Sequence, residues 1–323
     1  MIGPTLETII AARAALQADL IETPVLPLTS ARWDGILPNC AGVRVKLELF
    51  QQAGSFKARG ALLGMRGLSA TQRAAGVVAA SGGNHALAVS WAAKAAGVDA
   101  LITMPKATDP ARVAGCKALG ATVQLYNDMA AAFAAMNEAA DKGRAMLHPY
   151  EGEHMILGSA TCGYEYASQA PQIDTYIIPI GGGGMISGMA CAIKQINPAA
   201  QVIGVEPFGA DCMTQSFAAG RPMRTEKLAT IADSLSAPLA MPLTYAVARA
   251  HVDRIVQIDD RAMLAAMELY QQTLRITAEP ACAASLAAIL GPLKDALAGR
   301  HVGIIACGSN ISLDRYAALT AAL

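Results

Sequence analysis

The sequence is poor in charge and in aromatic side chains. Asp, Glu, Lys and Arg make up 15% of the 323 residues and Phe, Trp and Tyr 5%, against 54% hydrophobic residues. A chain so apolar has ample material for a core, which speaks against disorder. Neither sign of charge predominates, since 25 Lys+Arg meet 25 Asp+Glu. With no basic stripe, neither nucleic acid nor a membrane surface is expected as a partner. An apolar chain of zero net charge instead favours a buried subunit interface, and a homodimer is expected. CxxC pairs are missing too. The seven cysteines (Cys40, Cys116, Cys162, Cys191, Cys212, Cys282 and Cys307) are odd in number and scattered, a pattern of reduced thiols in a cytoplasmic protein rather than a disulfide framework. No uninterrupted apolar run reaches the roughly 18 residues of a membrane span. The opening residues, with Glu7 and Asp19 and no basic leader, read as an amphipathic helix rather than a signal peptide.

What is present is alternation. Short β-rich runs at 43–50, 76–81, 99–104, 121–126, 144–149, 175–180, 201–206, 253–258 and 301–307 are separated by alanine-rich helical stretches, the pattern of parallel α/β sheets. Between 82 and 143 the helix-then-strand units follow one another closely enough to form a small sheet of their own. A small domain at 70–150 is therefore expected, inserted into a larger one made of 1–69 and 151–323. Ligands of open parallel sheets bind beyond the carboxyl ends of the strands, and the glycine-rich segments lie at such ends.

Four segments there carry chemically useful residues. The first is Gly54-Ser55-Phe56-Lys57-Ala58-Arg59-Gly60. A lysine at a helix start faces the positive end of the dipole, so Lys57 is either a solvated surface residue or an amine of depressed pKa that condenses with an aldehyde. The second, Ser81-Gly82-Gly83-Asn84-His85, offers amides, a hydroxyl and a carboxamide to a carboxylate or phenolate, or else is a tight turn capped by Asn84. The third is Gly181-Gly182-Gly183-Gly184-Met185-Ile186-Ser187-Gly188. Four consecutive glycines are conformationally costly without a reason, and they let an anion approach the backbone closely. A dinucleotide fingerprint would need glycine at Ile186 or Ser187, and a P-loop lysine at Met189, so a phosphate seat of another kind fits better. The fourth, Cys307-Gly308-Ser309-Asn310, presents either a buried structural thiol or a weak, neutral partner for a ring nitrogen.

Taken in this order, the four segments resemble the second fold type of pyridoxal-phosphate enzymes, which includes threonine dehydratase, serine dehydratase and serine racemase. The resemblance covers nearly the whole chain. It implies an α/β fold of two parallel-sheet domains, like the tryptophan synthase β-subunit, and pyridoxal 5'-phosphate as cofactor. It implies that Lys57 holds the cofactor as a Schiff base and then serves as catalytic base, that Phe56 packs on the ring, and that Asn84 bonds the phenolic oxygen. Ser81 and its neighbouring amides would hold the substrate carboxylate, and Gly181, Gly182, Gly183, Gly184 and Met185 the phosphate. Cys307 would meet the pyridine nitrogen. Glu279 would lie near the ring, unless it is only a helix-start glutamate favoured by the dipole.

The implied activity is dehydration and deamination of a β-hydroxy amino acid such as threonine or serine to a 2-oxo acid and ammonia. A neutral thiol at Cys307 cannot keep the pyridine protonated as an aspartate would, which favours elimination over transamination. Alternatives are a less common substrate (3-hydroxyaspartate-like or phenylserine-like), serine racemase, a β-replacement or γ-elimination enzyme, and a non-catalytic binding protein of the same fold. Three departures bear on these. Gly82 stands where the racemases carry a second serine that acts on the opposite face. Cys212 replaces an aspartate of the family's cation site around Glu206 and Ala210, and thiolates suit hard cations badly, so no metal is expected. Gly158-Ser159-Ala160-Thr161 departs from the usual glycine-glutamine-glycine-threonine on the substrate side, which leaves the substrate open. His85 and His148 are expected to shape loops rather than carry protons.

Overall fold

The computed structural model describes residues 2–321. Along the chain its strands are β1 (Val25–Pro27), β2 (Gly42–Lys46), β3 (Val77–Ala80), β4 (Ala100–Pro105), β5 (Thr122–Tyr126), β6 (Ala145–Met146), β7 (Thr175–Pro179), β8 (Gln201–Pro207), β9 (Arg254–Ile258) and β10 (His301–Ile305). They form a six-stranded sheet in the order β1-β2-β10-β7-β8-β9 and a four-stranded sheet in the order β5-β4-β3-β6. Only β1 runs antiparallel to its neighbour; the other pairings are parallel. β7 lies inside the larger sheet with every residue buried, which is why its sequence is a continuous rather than an alternating apolar run.

The strand order positions the chemistry. β2, β10 and β7 are parallel neighbours, so their carboxyl ends share one edge. The chain leaves those ends towards Lys57, Cys307 and the tetraglycine segment respectively. The loops after β2 and β10 are stitched together: the Phe56 amide donates to the Cys307 carbonyl (3.2 Å) and the Ser309 amide to the Gly54 carbonyl (3.1 Å). Behind them, helices Lys57–Arg66, Glu153–Gln169 and Gly184–Ile196 pack through small residues. A Cβ at Gly158 would lie 2.4 Å from the Gly60 nitrogen, and one at Gly188 2.1 Å from the Ile156 carbonyl oxygen. Larger residues there would push the helices apart. On the four-stranded sheet, Asp109 and Asp128 accept first-turn bonds from Ala111 and Ala131, capping helices Pro110–Ala118 and Met129–Asp141.

Two strand expectations change, and one strand is new. The run at 43–50 stops at Lys46, because the chain turns through Glu48–Phe50 and sends the Glu48 carboxylate inward to Arg59. The run at 144–149 keeps only Ala145–Met146 as strand; beyond it, His148 Nδ1 accepts from the Glu151 amide at 3.0 Å and bends the chain away. β1 was not anticipated, being short and proline-ended. All seven cysteines are free thiols. Among the described residues, no helix is long and apolar enough to cross a membrane.

Candidate active site

Between the carboxyl edges of the two sheets lies a cavity of about 290 Å³. Lys57, Phe56, Ser81, Asn84, the segment from Gly181 to Met185, Glu279 and Cys307 all line it. The sequence motifs are thus brought together in space, although Phe56 and Cys307 lie 251 positions apart in the chain.

Lys57 is the first residue of its helix. Its Nζ donates to the Pro149 carbonyl and lies 5.1 Å from the centroid of the Phe56 ring. Among the described residues no carboxylate comes within ion-pair distance of it. Burial lowers its pKa to about 8, with a smaller opposing influence from Cys307. That leaves a useful fraction of the amine neutral and nucleophilic near neutral pH. Burial holds the Cys307 thiol well above its ordinary value, so it remains protonated and uncharged.

After β7, Gly183 takes a φ of +88° and helix Gly184–Ile196 begins. Among the described residues, the amides from Gly181 to Ile186 have no hydrogen-bond acceptor in the protein; the Ser187 amide is the first to find one, at the Gly183 carbonyl. A run of open amides at the start of a 13-residue helix is a built anion seat. The glycines serve the packing around it: a Cβ at Gly182 would fall 2.1 Å from Cγ of Tyr150, and one at Gly181 3.0 Å from the Ser234 carbonyl oxygen.

A second such start faces it from the four-stranded sheet. Ser81 Oγ accepts from the Gly83 amide at 3.1 Å, and the amides of Gly82, Asn84 and His85 have no protein acceptor among the described residues. They open helix Asn84–Ala96, a seat for a carboxylate of a bound molecule. His85 Nε2 is bonded to the Leu147 carbonyl (2.8 Å), and burial lowers its pKa well below the usual value.

Asn84 and Glu279 form one unit. Asn84 Nδ2 donates to Glu279 Oε1 at 2.5 Å, and more distantly to Ser234 Oγ at 3.4 Å, while its Oδ1 accepts from Asn310 at 2.6 Å. The hydrogen directed at Ser234 is the one a ligand oxygen can take. Burial raises the Glu279 carboxyl to about 7, against the pull of Arg112.

Several residues of the site carried no readable signal in the sequence. Arg112 reaches across from the smaller sheet, donating to the Gly82 carbonyl (3.2 Å), the Asn310 carbonyl (2.8 Å), Asp233 and Glu279 (3.4 Å). Tyr150 fills the side-chain space of Gly182. The Thr108 hydroxyl is buried without a partner, 2.7 Å from where a Cβ on Gly82 would stand. Conversely, Gly158-Ser159-Ala160-Thr161 does not reach the cavity. These residues are buried in helix Glu153–Gln169, where Thr161 accepts from Arg59 at 3.4 Å, so their departure from the family pattern concerns packing rather than substrate. Glu206 is also otherwise engaged: its two oxygens accept from the Met213 and Thr214 amides at 2.9 and 2.7 Å, capping helix Cys212–Ala219. Burial raises the Glu206 carboxyl to about 7 and the Cys212 thiol to about 12.

Comparison with known proteins bears on what such a cavity holds. A family model described as "Pyridoxal-phosphate dependent enzyme" matches residues 18–308. Phenylserine dehydratase of Ralstonia pickettii is 42% identical over 97% of this chain and 95% of its own length. L-threo-3-hydroxyaspartate ammonia-lyase of Saccharomyces cerevisiae is 34% identical over 99% of this chain and 97% of its own. The solved structure of maize serine racemase matches with a TM-score of 0.90 at 35% identity, covering 97% of this chain and 95% of that one.

Proposed function

The chain belongs to the pyridoxal-phosphate-dependent enzymes, and from that premise we propose that it converts a β-hydroxy amino acid to a 2-oxo acid, with net release of ammonia. The observation that carries the proposal is the pairing of Lys57, an amine with a pKa lowered to about 8, with two separate sets of open amides. The cofactor fits what is present. The amides from Gly181 to Ile186 suit its phosphate, Lys57 its aldehyde, the Phe56 ring its face, Asn84 its phenolic oxygen, and the protonated Cys307 thiol its pyridine nitrogen. When bound, pyridoxal phosphate supplies an electron sink for the pair left on the substrate α-carbon.

The chain's own groups do the rest. The amides of Gly82, Asn84 and His85, with Ser81, bind the substrate carboxylate and fix the α-carbon. Lys57 Nζ takes the α-proton as general base. Cys307, kept neutral by burial, contributes no charge that would hold the ring nitrogen protonated, and this favours loss of the β-hydroxyl as water. Hydrolysis of the resulting enamine consumes that water and releases ammonia. The relatives named dehydratase and ammonia-lyase support elimination. Gly82, which offers no side-chain acid on the face opposite Lys57, weighs against racemisation.

The proposal includes a homodimer, supported by the zero net charge and apolar composition. It includes the division into 1–69 with 151–323 and an inserted 70–150, supported by the way strands are shared between the two sheets. Incubation of the cofactor-loaded protein with a panel of β-hydroxy amino acids, without added nucleophile, should release oxo acid and ammonia in equal amounts. Product formation only when a thiol or other nucleophile is added would instead make the enzyme a β-replacement catalyst.

A further inference from the structure

We infer that the substrate carries an uncharged, apolar β-substituent of aryl size, seated against Met129 and Phe133, and that this wall excludes a β-carboxylate. The inference rests on the dehydratase reading above and adds the substrate class.

Met129 and Phe133 stand one turn apart on helix Met129–Asp141, so both present to the same side, and both line the cavity together with Pro105 and Tyr150. Phe133 is held in place by packing on Val78, Ala80 and Met136 beneath it. Its ring lies 5.7 Å from His148, and His148 meets the edge of Tyr150 at 4.7 Å. The outer wall therefore presents two rings, Phe133 and Tyr150, with the Met129 thioether beside them, a surface suited to another ring. His148 packs against both rings from outside the cavity lining.

Charge points the same way. The cavity is lined by the carboxylates of Asp109 and Asp233 and by the Glu279 carboxyl, raised by burial to about 7, against Lys57 as the one lysine. That lysine is committed to the cofactor, and Arg112 is committed to Asp233 and Glu279. Burial, aided by the nearby Lys57 and His154, lowers the His148 pKa to about 4, so no cation stands behind the two rings at neutral pH. A second substrate carboxylate would be desolvated there with no cation to meet it. The small substituents of serine or threonine would leave the apolar wall unfilled.

The test compares kcat/KM for threo-β-phenylserine, L-threonine and L-threo-3-hydroxyaspartate. Phenylserine is expected to exceed threonine by about 100-fold, within the range a hydrophobic pocket delivers, with hydroxyaspartate lower still. Phe133→Ala should reduce the phenylserine-to-threonine ratio about 10-fold, and Met129→Arg should raise hydroxyaspartate at the expense of phenylserine. Equal turnover of all three by the unmodified enzyme, or variants that shift all three alike, would overturn the inference. Binding can be read apart from turnover by titrating the holoenzyme with L-phenylalanine and L-aspartate, which lack the β-hydroxyl, and following the cofactor's absorbance. Preference for phenylalanine with no oxo acid from any substrate upholds the apolar wall and sinks only the dehydratase reading. Aspartate binding as tightly as phenylalanine sinks the wall.

Discussion

Lys57 and Arg59 are two residues apart on one helix and enter opposite kinds of surroundings. At about 100° per residue their side chains leave on nearly opposed faces. Arg59, 2% exposed, donates to Glu48 at 2.8 and 2.7 Å and to Glu165 at 3.0 Å, and Lys46 completes the group by donating to Glu165 at 2.5 Å. Arg13 Nε also stands 3.6 Å from Glu165 and pairs with Glu22, so three cations meet three carboxylates, and Thr23 and Gln169 add further bonds. Lys57 has one backbone carbonyl and no carboxylate. The contrast separates two uses of buried charge. A balanced, fully bonded cluster fixes structure, because every group in it would be costly to leave alone. An amine that is half-buried at a cavity wall and unpaired is displaced from its ordinary protonation state and is available to react.

The sharpest way to break this comparison is to remove each cation in turn. Lys57→Ala should abolish turnover, since it removes both the cofactor's covalent partner and the base, while resistance to urea stays near that of the unmodified protein. Borohydride reduction of the unmodified holoenzyme followed by peptide mapping should find the pyridoxyl group on Lys57. Its recovery on Lys106 or Lys117 would move the site. Arg59→Met should do the reverse in kind. It leaves Glu48 without its guanidinium partner and Glu165 with only Lys46 and, at 3.6 Å, Arg13, a loss on the order of 3–5 kcal/mol of stability, read from the urea midpoint at unchanged slope. An unchanged midpoint would mean that the cluster holds nothing together.

The two sides of the helix also differ in how well the sequence disclosed them. Glycine-rich turns at strand ends are legible because the backbone supplies their chemistry, and only glycine permits its conformation and close packing. So the tetraglycine segment and Gly82-Gly83 stood out, as did the alternation that gave most strands. Lys57 acquired meaning only from its place among the other segments. Arg112 left no local trace, since its partners Asp233, Glu279 and Asn310 lie 121 to 198 positions away. The cluster of Lys46, Glu48, Arg59 and Glu165 was equally hidden: charged residues in an apolar chain read as surface until the fold buries them. Gly158-Ser159-Ala160-Thr161 misled for the complementary reason. Its small residues serve a close helix crossing, which looks in sequence like any other conspicuous motif.

The smallest expected effect concerns Gly82, where geometry changes the meaning of a simple substitution. Racemisation needs an acid that can return a proton to the α-carbon from the face opposite Lys57. A backbone amide is far too weak, so the unmodified enzyme in deuterated water should give oxo acid and ammonia with little D-amino acid. Gly82→Ser would install a hydroxyl, but its Cβ would stand 2.7 Å from the Thr108 hydroxyl oxygen and 3.5 Å from Cδ of Pro105. The serine can therefore enter only if Thr108 turns away, and a modest rise in D-amino acid relative to oxo acid is expected. Pairing Gly82→Ser with Thr108→Ala clears the space and should increase that ratio further. The Thr108 hydroxyl, buried and unpartnered, is the natural rival for the same role. Substantial D-amino acid from the unmodified protein that disappears in Thr108→Val would assign the opposite face to Thr108, and Gly82 would no longer be the position that separates lyase from racemase.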